Sequence, residues 1–261
     1  MTGIKMSERL AENYEEYYDE GESEWRRLCA VEKADSIVSL CRDLPRGSVL
    51  EIGAGEGSIL SRLSELSFGE RLHALEISPS GVTAIHARRI PRLVECRLFD
   101  GYDVPYGDGR FDIAILSHVI EHVEHPRQLL YEASRVARYL FLEVPLEDTL
   151  RLPKDFVLDP VGHINFYSRK GIRRLVQSCN LRVLGEMVQT PARGAYCYRW
   201  GHVGLMKFWV KEALLKLHPG LATLLSTYHG ALVCEKAAQE GPSRGTTSDE
   251  FGGVPRPRNP G

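Results

Sequence analysis

The feature that most constrains the fold is an apolar run that contains an acid and continues into a glycine-rich turn, residues 49–57 (Val-Leu-Glu-Ile-Gly-Ala-Gly-Glu-Gly). A second short apolar run with an acid, residues 75–77 (Leu-Glu-Ile), follows later in the chain. Glycines let a backbone adopt unusual φ angles and approach a ligand closely. This order predicts a strand, a tight ligand-binding turn, a helix and a second strand with an acid at its tip that can accept ribose hydroxyls.

The same alternation of strands and helices continues along the chain. Strands are predicted at 49–53, 71–77, 93–99, 111–116, 139–144, 181–188 and 231–234. Helices are predicted at 23–41, 57–66, 79–88, 126–137 and 168–179, with one or two more within 203–226 that break at Pro219. Helices of this length between strands imply right-handed crossovers. We therefore expect an α/β fold with a doubly wound, mostly parallel seven-stranded sheet and a helical insertion before the last strand.

The chain divides into three predicted parts. Residues 1–47 hold an acidic, tyrosine-rich segment and the first helix, and residues 48–238 form the α/β domain, with the helical insertion at about 200–226. Residues 239–261 are rich in glycine, proline, serine and charge, so we expect a disordered tail. A long loop at 146–167 interrupts the domain, and loops of this length are often functional.

Composition narrows the class of protein. The 261 residues carry a formal net charge of −2, which gives no broad attraction to nucleic acid or to an anionic membrane. The six cysteines are far apart and form no C-x-x-C pair, so we expect neither a metal site nor a redox dithiol, but reduced thiols in a cytoplasmic protein. The apolar stretches are too short and too often interrupted by charge to span a bilayer.

The glycine turn separates two classes of cofactor. A dinucleotide fingerprint needs a third glycine where this chain has Ser58, and Gly57 comes one position early. The turn also contains two carboxylates, Glu51 and Glu56, which suit a cationic amine better than an anionic pyrophosphate. S-adenosylmethionine has a ribose, an ammonium and a sulfonium but no phosphate. A nicotinamide-dependent oxidoreductase is therefore the less favoured alternative.

Several motifs in a fixed order carry a family resemblance. They are the Glu51-x-Gly53-x-Gly55-x-Gly57 turn, Glu76 and Asp100 at the next two strand ends, and Phe-Asp at 111–112 leading into Ser-His-Val-Ile-Glu-His-Val at 117–123. With them the chain resembles the class I S-adenosylmethionine-dependent methyltransferases, and within these the small-molecule enzymes of the ubiquinone and biotin pathways. The resemblance covers residues 48–145 well and 163–236 more loosely.

The resemblance implies a set of cofactor-binding residues. They are Glu51, Gly53, Gly55, Gly57, Glu76, Asp100, Gly101 and Ser117. Glu51 and the glycines would surround the methionine end of S-adenosylmethionine, Glu76 would accept both ribose hydroxyls, and Asp100 would bind the adenine amino group. Ser117 or His118 would border the sulfonium. A carboxylate that accepts two hydroxyls makes charge-assisted hydrogen bonds, which are the strong kind.

The acceptor side is less defined. An oxygen or carbon acceptor needs a base, for which His118 is the first candidate and His163 the second. In the block 162–168, His163, Asn165 or Tyr167 either lines the acceptor pocket or anchors the long loop, while Ser168 caps the next helix. Glu121 and His122 are expected to begin a helix.

The expected reaction is an in-line displacement that moves a methyl group to an oxygen, nitrogen or carbon of a small molecule. The alternative is a methyltransferase-like protein that binds the cofactor without catalysis. The expected partner is the small-molecule acceptor, with no nucleic acid, no membrane and a possible homodimer. Relatives often close an N-terminal segment over the cofactor, so the cluster of Tyr14, Tyr17 and Tyr18 suits a lid.

Overall fold

The computed structural model of the protein describes residues 23–156 and 162–237. Tyr14, Tyr17 and Tyr18 and the tail at 239–261 lie outside the described residues, so the lid and the disordered tail stay predictions. The helices are α1 (Ser23–Leu40), α2 (Ser58–Glu65), α3 (Pro79–Ala87), α4 (Pro126–Val136), α5 (Arg169–Ser178), α6 (Arg193–Leu217) and α7 (Pro219–Leu225). The strands are β1 (Ser48–Ile52), β2 (Arg71–Glu76), β3 (Leu93–Leu98), β4 (Phe111–Ser117), β5 (Ala137–Leu146), β6 (Leu181–Gln189) and β7 (Tyr228–Lys236).

The strands form one seven-stranded sheet in the order β3-β2-β1-β4-β5-β7-β6. The first five strands pair in parallel, while β7 runs antiparallel to both β5 and β6. This confirms the predicted mostly parallel, doubly wound α/β fold. The chain changes direction across the sheet between β1 and β4, and ligands of such sheets bind in the crevice beyond the carboxyl ends of strands at that point.

Helices cover both faces of the sheet, so its apolar strands are buried on both sides. On one face, α1, α2 and α3 contribute buried Ala34, Ile37, Leu60, Leu63 and Ile85. On the other face, α4 and α5 contribute buried Leu129, Ala133, Ile172 and Val176. Each fully buried Leu or Ile side chain stabilises the fold by roughly 1.5–3 kcal/mol relative to its exposed state. The two apolar layers fix the strand ends, and with them the turns that carry polar residues.

The segment after β4 differs from the prediction. Glu121 and His122 lie in a turn, and the helix begins only at Pro126. The turn cannot continue as a helix because another segment uses its carbonyl groups. The carbonyl of Glu121 accepts from the backbone N–H groups of Ile164 and Asn165, and the Asn165 side chain donates to two further carbonyls of the same turn. This turn is therefore tied to the 162–168 segment.

The helical segment before β7 begins at Arg193, earlier than the predicted start at 203. Gly201, with φ 56° and ψ −135°, breaks the helical conformation inside α6. Glycine has low helix propensity, which is why the sequence pattern does not predict a helix here. The break before Pro219 matches the prediction. Within 23–156 and 162–237, every helix is too short or too polar to cross a membrane.

Candidate functional site

A cavity of about 240 Å³ lies beyond the carboxyl ends of β1, β2 and β4, next to the reversal of the sheet. Most of the predicted site residues line it. These are Glu51, Gly53, Gly55, Glu76, Gly101, Ser117, His118 and His163. Two predicted cofactor residues, Gly57 and Asp100, are not among its lining residues. One cavity thus brings together residues from the glycine turn, from the strand ends and from the 162–168 segment.

The turn requires glycine for two reasons, namely its left-handed backbone angles and the lack of space for a Cβ atom. Gly53, Gly55 and Gly57 have φ angles of 74°, 58° and 80°, in the left-handed region. A Cβ added to Gly53 would lie 2.7 Å from a methyl group of Val119. Gly57 precedes α2 and packs against Ile85 instead of facing the cavity. It therefore shapes the turn, while Gly53 and Gly55 form the cavity wall.

Glu51 is a buried carboxylate at the cavity, 1% exposed. Its Oε2 has no hydrogen-bond partner among the described residues. Burial raises the pKa of Glu51 to about 8, against the opposing charge of nearby Lys33. The backbone N–H of Leu60 compensates the carboxylate only in part, and Oε2 stays without a partner, so a cation placed at this point would be strongly stabilised.

Glu56, the second acid of the turn, has its charge already compensated. Its carboxylate lies 3.2 Å from Arg26 Nε and 2.6 Å from Arg88 Nη2. The hydroxyl of Ser58 also donates to it. The expectation that both acids of the turn suit a cationic amine is therefore wrong for Glu56, because arginines from α1 and from the end of α3 pair with it. Glu51 remains.

Glu76 stands at the tip of β2 and is 2% exposed. Its Oε2 accepts from the N–H of Gly55 at 2.7 Å, and its Oε1 accepts from the N–H of Ser78 at 3.0 Å. Burial raises the pKa of Glu76, although these N–H groups favour the ionised form. Each carboxylate oxygen can accept a second hydrogen bond, so this side chain can hold two hydroxyl groups of a ligand in the cavity.

Asp100 is exposed and closes a turn. Its Oδ1 accepts from the N–H groups of Tyr102 and Asp103 at 3.0 and 2.7 Å. Its neighbours Phe99 and Gly101 line the cavity instead. In the described conformation, Asp100 thus shapes the loop that presents Gly101. The prediction that its carboxylate binds adenine stays a prediction.

His118 follows β4 and has φ 57°, which is uncommon for a residue other than glycine. Its Nδ1 lies 3.2 Å from Oε1 of Glu121, and its Nε2 is buried without a hydrogen-bond partner among the described residues. Burial first, and then the charge of Lys33, lowers the pKa of His118 well below its usual value. The imidazole is therefore neutral near pH 7, with a free lone pair on one ring nitrogen.

His163 is paired with an acid. Its Nδ1 lies 2.8 Å from Oε2 of Glu147, and its ring centre is 4.8 Å from that of His122, which also lines the cavity. A carboxylate behind one ring nitrogen fixes the tautomer and the orientation of an imidazole. His163 therefore has the geometry of an oriented acid or base at the cavity.

The other residues of the 162–168 block hold the structure together. Asn165 donates to the carbonyls of Ile120 and Val123, and the Tyr167 hydroxyl donates to the same carbonyl of Ile120. Ser168 Oγ accepts from the N–H of Gly171 and caps α5, as predicted. Of the two interpretations left open by the sequence, loop anchoring applies to Asn165 and Tyr167, and cavity lining applies to His163.

The family comparison decides the class of this protein. A family model described as a methyltransferase domain matches residues 23–186, which is more than half of the chain. The chain belongs to the class I S-adenosylmethionine-dependent methyltransferases. The cofactor expected from the glycine turn is therefore confirmed at the level of the family. S-adenosylmethionine also fits the residues present, because Glu51 has an oxygen without a hydrogen-bond partner among the described residues and two backbone N–H groups hold Glu76 in place.

Two curated relatives share parts of this methyltransferase. An uncharacterized protein of Methanocaldococcus jannaschii is 28% identical over 52% of this chain and 57% of its own length. An uncharacterized protein in a transposon of Streptomyces fradiae is 33% identical over 43% of this chain and 34% of its own length. The chain thus spans about half, or less, of the length of these relatives.

Solved structures share the fold of the methyltransferase at low identity. Geranyl diphosphate C-methyltransferase from Streptomyces coelicolor A3(2) superposes with a TM-score of 0.58 and 15% identity, covering 90% of each chain. An S-adenosylmethionine-dependent methyltransferase from Aquifex aeolicus gives 0.53 and 16%, covering 86% of this chain and 98% of that one. The [4+2]-cyclase SpnF gives 0.58 and 15%, covering 79% and 81%. These likenesses show the fold.

Several residues of the cavity are not predicted from the sequence. Trp25, Cys29 and Lys33 line it from α1. They recur every four positions on one predicted helix, a spacing that places them on one face and could have revealed them. The ring centre of His229 is 4.5 Å from that of His118, although His229 lies in β7, far along the chain. No local pattern signals such a contact.

Proposed function

We propose that this methyltransferase transfers the methyl group of S-adenosylmethionine to an oxygen, nitrogen or carbon of a small-molecule acceptor by in-line displacement. The observation that carries the proposal is the buried Glu51 carboxylate, whose Oε2 has no hydrogen-bond partner among the described residues, on the wall of a glycine-lined cavity. That arrangement suits an ammonium group. The cofactor supplies an activated methyl group on a sulfonium, so the protein mainly has to position the reactants.

The cofactor-binding roles follow from position at the cavity. Glu51 would accept from the ammonium group, and Gly53 and Gly55 would let the backbone approach the methionine end. Glu76 would accept from the two ribose hydroxyls while the N–H groups of Gly55 and Ser78 hold it in place. Gly57 and Asp100 would act indirectly, by shaping the two loops.

The acceptor is proposed to bind on the side of the cavity formed by the histidines after β4 and β5. His163 is the better placed base, because Glu147 orients it at 2.8 Å and would stabilise the imidazolium formed when it takes a proton. His118, at the end of β4, borders the sulfonium side in this proposal, together with Ser117. A small-molecule acceptor is consistent with the geranyl diphosphate bound by one of the structural neighbours.

Two measurements test the proposal. Calorimetry with S-adenosylhomocysteine and NAD should show binding of the first alone, whereas binding of NAD alone would contradict the cofactor assignment. Incubation with methyl-labelled S-adenosylmethionine and a panel of phenols, amines and activated carbon acids should then label at least one class of acceptor. Cofactor binding with no transfer to any of them would favour the non-catalytic alternative, for which the cyclase SpnF offers a precedent of the fold in a protein named for another activity.

A further inference from the structure

Three strands, β4, β5 and β7, bring two histidines and a glutamate together at the inner wall of the cavity. His118 follows β4, Glu143 lies in β5 and His229 lies in β7. One ring nitrogen of each histidine and one carboxylate oxygen of Glu143 all lie within 4.8 Å of one another. Ligands of a tetrahedral ion with bonds of about 2.0–2.2 Å are about 3.3–3.6 Å apart, so small side-chain rotations bring this set to bonding distance.

The residue types are those of a transition-metal site. Two imidazoles and one carboxylate suit Zn²⁺, Fe²⁺ or Co²⁺, whereas Mg²⁺ prefers oxygen ligands alone. Glu143 is fully buried, and the two histidines are largely buried, with 18% and 12% of their side chains exposed. A set of three protein ligands leaves coordination positions for water or another ligand.

A carboxylate also lies behind each of the two histidines, close to one ring nitrogen but without a hydrogen bond to it in the described conformation. Glu121 Oε1 lies 3.2 Å from His118 Nδ1, which leaves Nε2 for a ligand bond. Glu32 Oε1 lies 3.5 Å from His229 Nδ1, and neither atom has a hydrogen-bond partner among the described residues. Metal-binding histidines almost always have a carboxylate, a carbonyl or water at the second ring nitrogen, because this partner fixes the tautomer and the ring orientation.

Glu143 is held by two donors, one at each oxygen. Ser117 Oγ donates to Oε2 at 2.7 Å, and Gln189 Nε2 donates to Oε1 at 3.0 Å. Each oxygen keeps a further lone pair, so these bonds orient the carboxylate without using up its capacity to bind an ion.

Several buried polar atoms in and around this set of residues lack a hydrogen-bond partner in the described part of the chain, and a bound cation would interact favourably with them. His118 Nε2 is buried without a hydrogen-bond partner among the described residues, and so are both carboxylate oxygens of Glu121, which is 0% exposed. Glu32, Glu121 and Glu143 bring three carboxylates to one buried region. Lys33 acts on several of these groups through its charge, but no ion pair joins it to them in the described part of the chain.

We propose that His118, Glu143 and His229 bind one divalent transition-metal ion, Zn²⁺ or an ion of similar ligand preference, at the inner wall of the cavity. The cysteine spacing predicts no metal site, whereas these three ligands are histidines and a glutamate that are far apart in the chain. The proposal does not depend on methyl transfer. A second trio, Glu121, His122 and His163, also has its ligand atoms close together and is the competing location.

The test uses the full chain without a histidine tag. Metal content is measured after purification, and Co²⁺ is then titrated while its visible d–d absorption is recorded, with Zn²⁺ and Mg²⁺ as competitors. We expect one Co²⁺ per chain, displaced by Zn²⁺ and not by Mg²⁺. His229→Gln and Glu143→Gln should each weaken Co²⁺ binding by about a hundredfold or more, since even residues behind the ligands change metal affinity by about 10–100-fold.

Two matched variants locate the ion. His122→Gln removes a histidine of the competing trio, and His86→Gln removes an exposed histidine on α3, so both should keep wild-type Co²⁺ affinity. S-adenosylhomocysteine affinity and circular dichroism establish that each variant is folded. The proposal is overturned if the folded wild-type chain binds no Co²⁺ saturably, or if His122→Gln loses the ion while His229→Gln keeps it. Failure of methyl transfer leaves these readouts unchanged.

Discussion

The cavity has two walls of different construction. The cofactor wall, which is proposed to bind S-adenosylmethionine, is formed by Glu51, Gly53, Gly55, Glu76 and Gly101, from the ends of the first three strands and the turns that follow them. The histidine wall, formed by His118, His122 and His163, comes from segments after β4 and β5 that are far apart in the chain. The cofactor wall consists of glycine backbone and the carboxylates of two glutamates. The histidine wall consists of imidazole rings, two of which have a glutamate carboxylate next to a ring nitrogen.

This difference separates two tasks. A wall of backbone N–H groups and acids recognises a ligand of fixed shape, because its geometry follows from the fold itself. A wall of side chains can be changed residue by residue without disturbing the sheet. We therefore expect substitutions in the histidine wall to alter turnover and substitutions in the cofactor wall to alter cofactor affinity.

The largest effect is expected for His163→Gln. If His163 removes a proton from the acceptor, its loss should lower kcat by about 10²–10⁴-fold. The affinity for S-adenosylhomocysteine should stay within about twofold, because the cofactor wall is untouched. Steady-state kinetics with the labelled acceptor and calorimetry measure the two quantities, with His86→Gln as the surface control. An unchanged kcat would show that the acceptor needs no base at this position.

Glu76→Ala should have the next largest effect, this time on the cofactor wall. It removes the acceptor of the proposed ribose bonds and leaves the N–H groups of Gly55 and Ser78 without their partner. Hydrogen bonds to charged groups contribute about 1.5–3 kcal/mol each, so we expect a loss of about 2–4 kcal/mol in S-adenosylhomocysteine binding. Calorimetry measures it, with exposed Glu70→Ala as the matched control. Unchanged affinity would place the ribose elsewhere.

Glu51→Gln should move affinity and stability in opposite directions. Removing the carboxylate should weaken S-adenosylhomocysteine binding by about tenfold or more, since a charge-assisted bond is lost. The same change removes a buried charge that burial disfavours, so the cofactor-free protein should become more stable at pH 8. Calorimetry and urea unfolding measure the two effects. A variant that is less stable at pH 8 would show that the ionised Glu51 carboxylate is a net stabilising group in the cofactor-free protein.

The pH dependence of that stability has a defined sign. The folded pKa of Glu51, about 8, lies above its ordinary value of 4.5, so the folded chain holds a proton that the unfolded chain releases. The contribution of Glu51 is fully present below pH 4.5 and is lost as the pH rises to about 8, with a slope of up to about 1.4 kcal/mol per pH unit. Glu32 and Glu121 act in the same direction. Glu51→Gln should therefore flatten the decline without abolishing it.

The cofactor wall could be predicted from the sequence because it is local. One strand, one turn and the next strand end determine where Gly53, Gly55 and Glu76 lie, and the parallel sheet brings them to one edge. The pairing of Glu56 could not be predicted in this way, because its partners, Arg26 and Arg88, come from helices on either side of the turn. Only the packing of α1 and α3 brings those charges together.

The histidine wall could be predicted only in part. His118 and His163 stood out from their positions after a strand and in the long loop. Their acids Glu121 and Glu147, and the neighbour His229, depend on the antiparallel pairing of β5 with β7 and on the turn that ties residues 121 and 164 together. Contacts of this range leave no periodic trace in a single sequence.

The smallest effect on cofactor affinity is expected for Glu56→Gln, which tests whether the two acids of the glycine turn differ as described. The carboxylate of Glu56 is already bound by Arg26, Arg88 and the hydroxyl of Ser58, so it has little charge left for a ligand. We expect S-adenosylhomocysteine affinity to change by less than about threefold, whereas the free energy of unfolding should fall by roughly 3–5 kcal/mol because a buried carboxylate is removed from its two arginine partners. Calorimetry of Glu56→Gln and Glu51→Gln compares how much cofactor affinity is lost when each of the two carboxylates is removed. Equal losses of affinity would mean that the ammonium group is held by the turn as a whole, and that the unpartnered oxygen of Glu51 is not what distinguishes the cofactor wall.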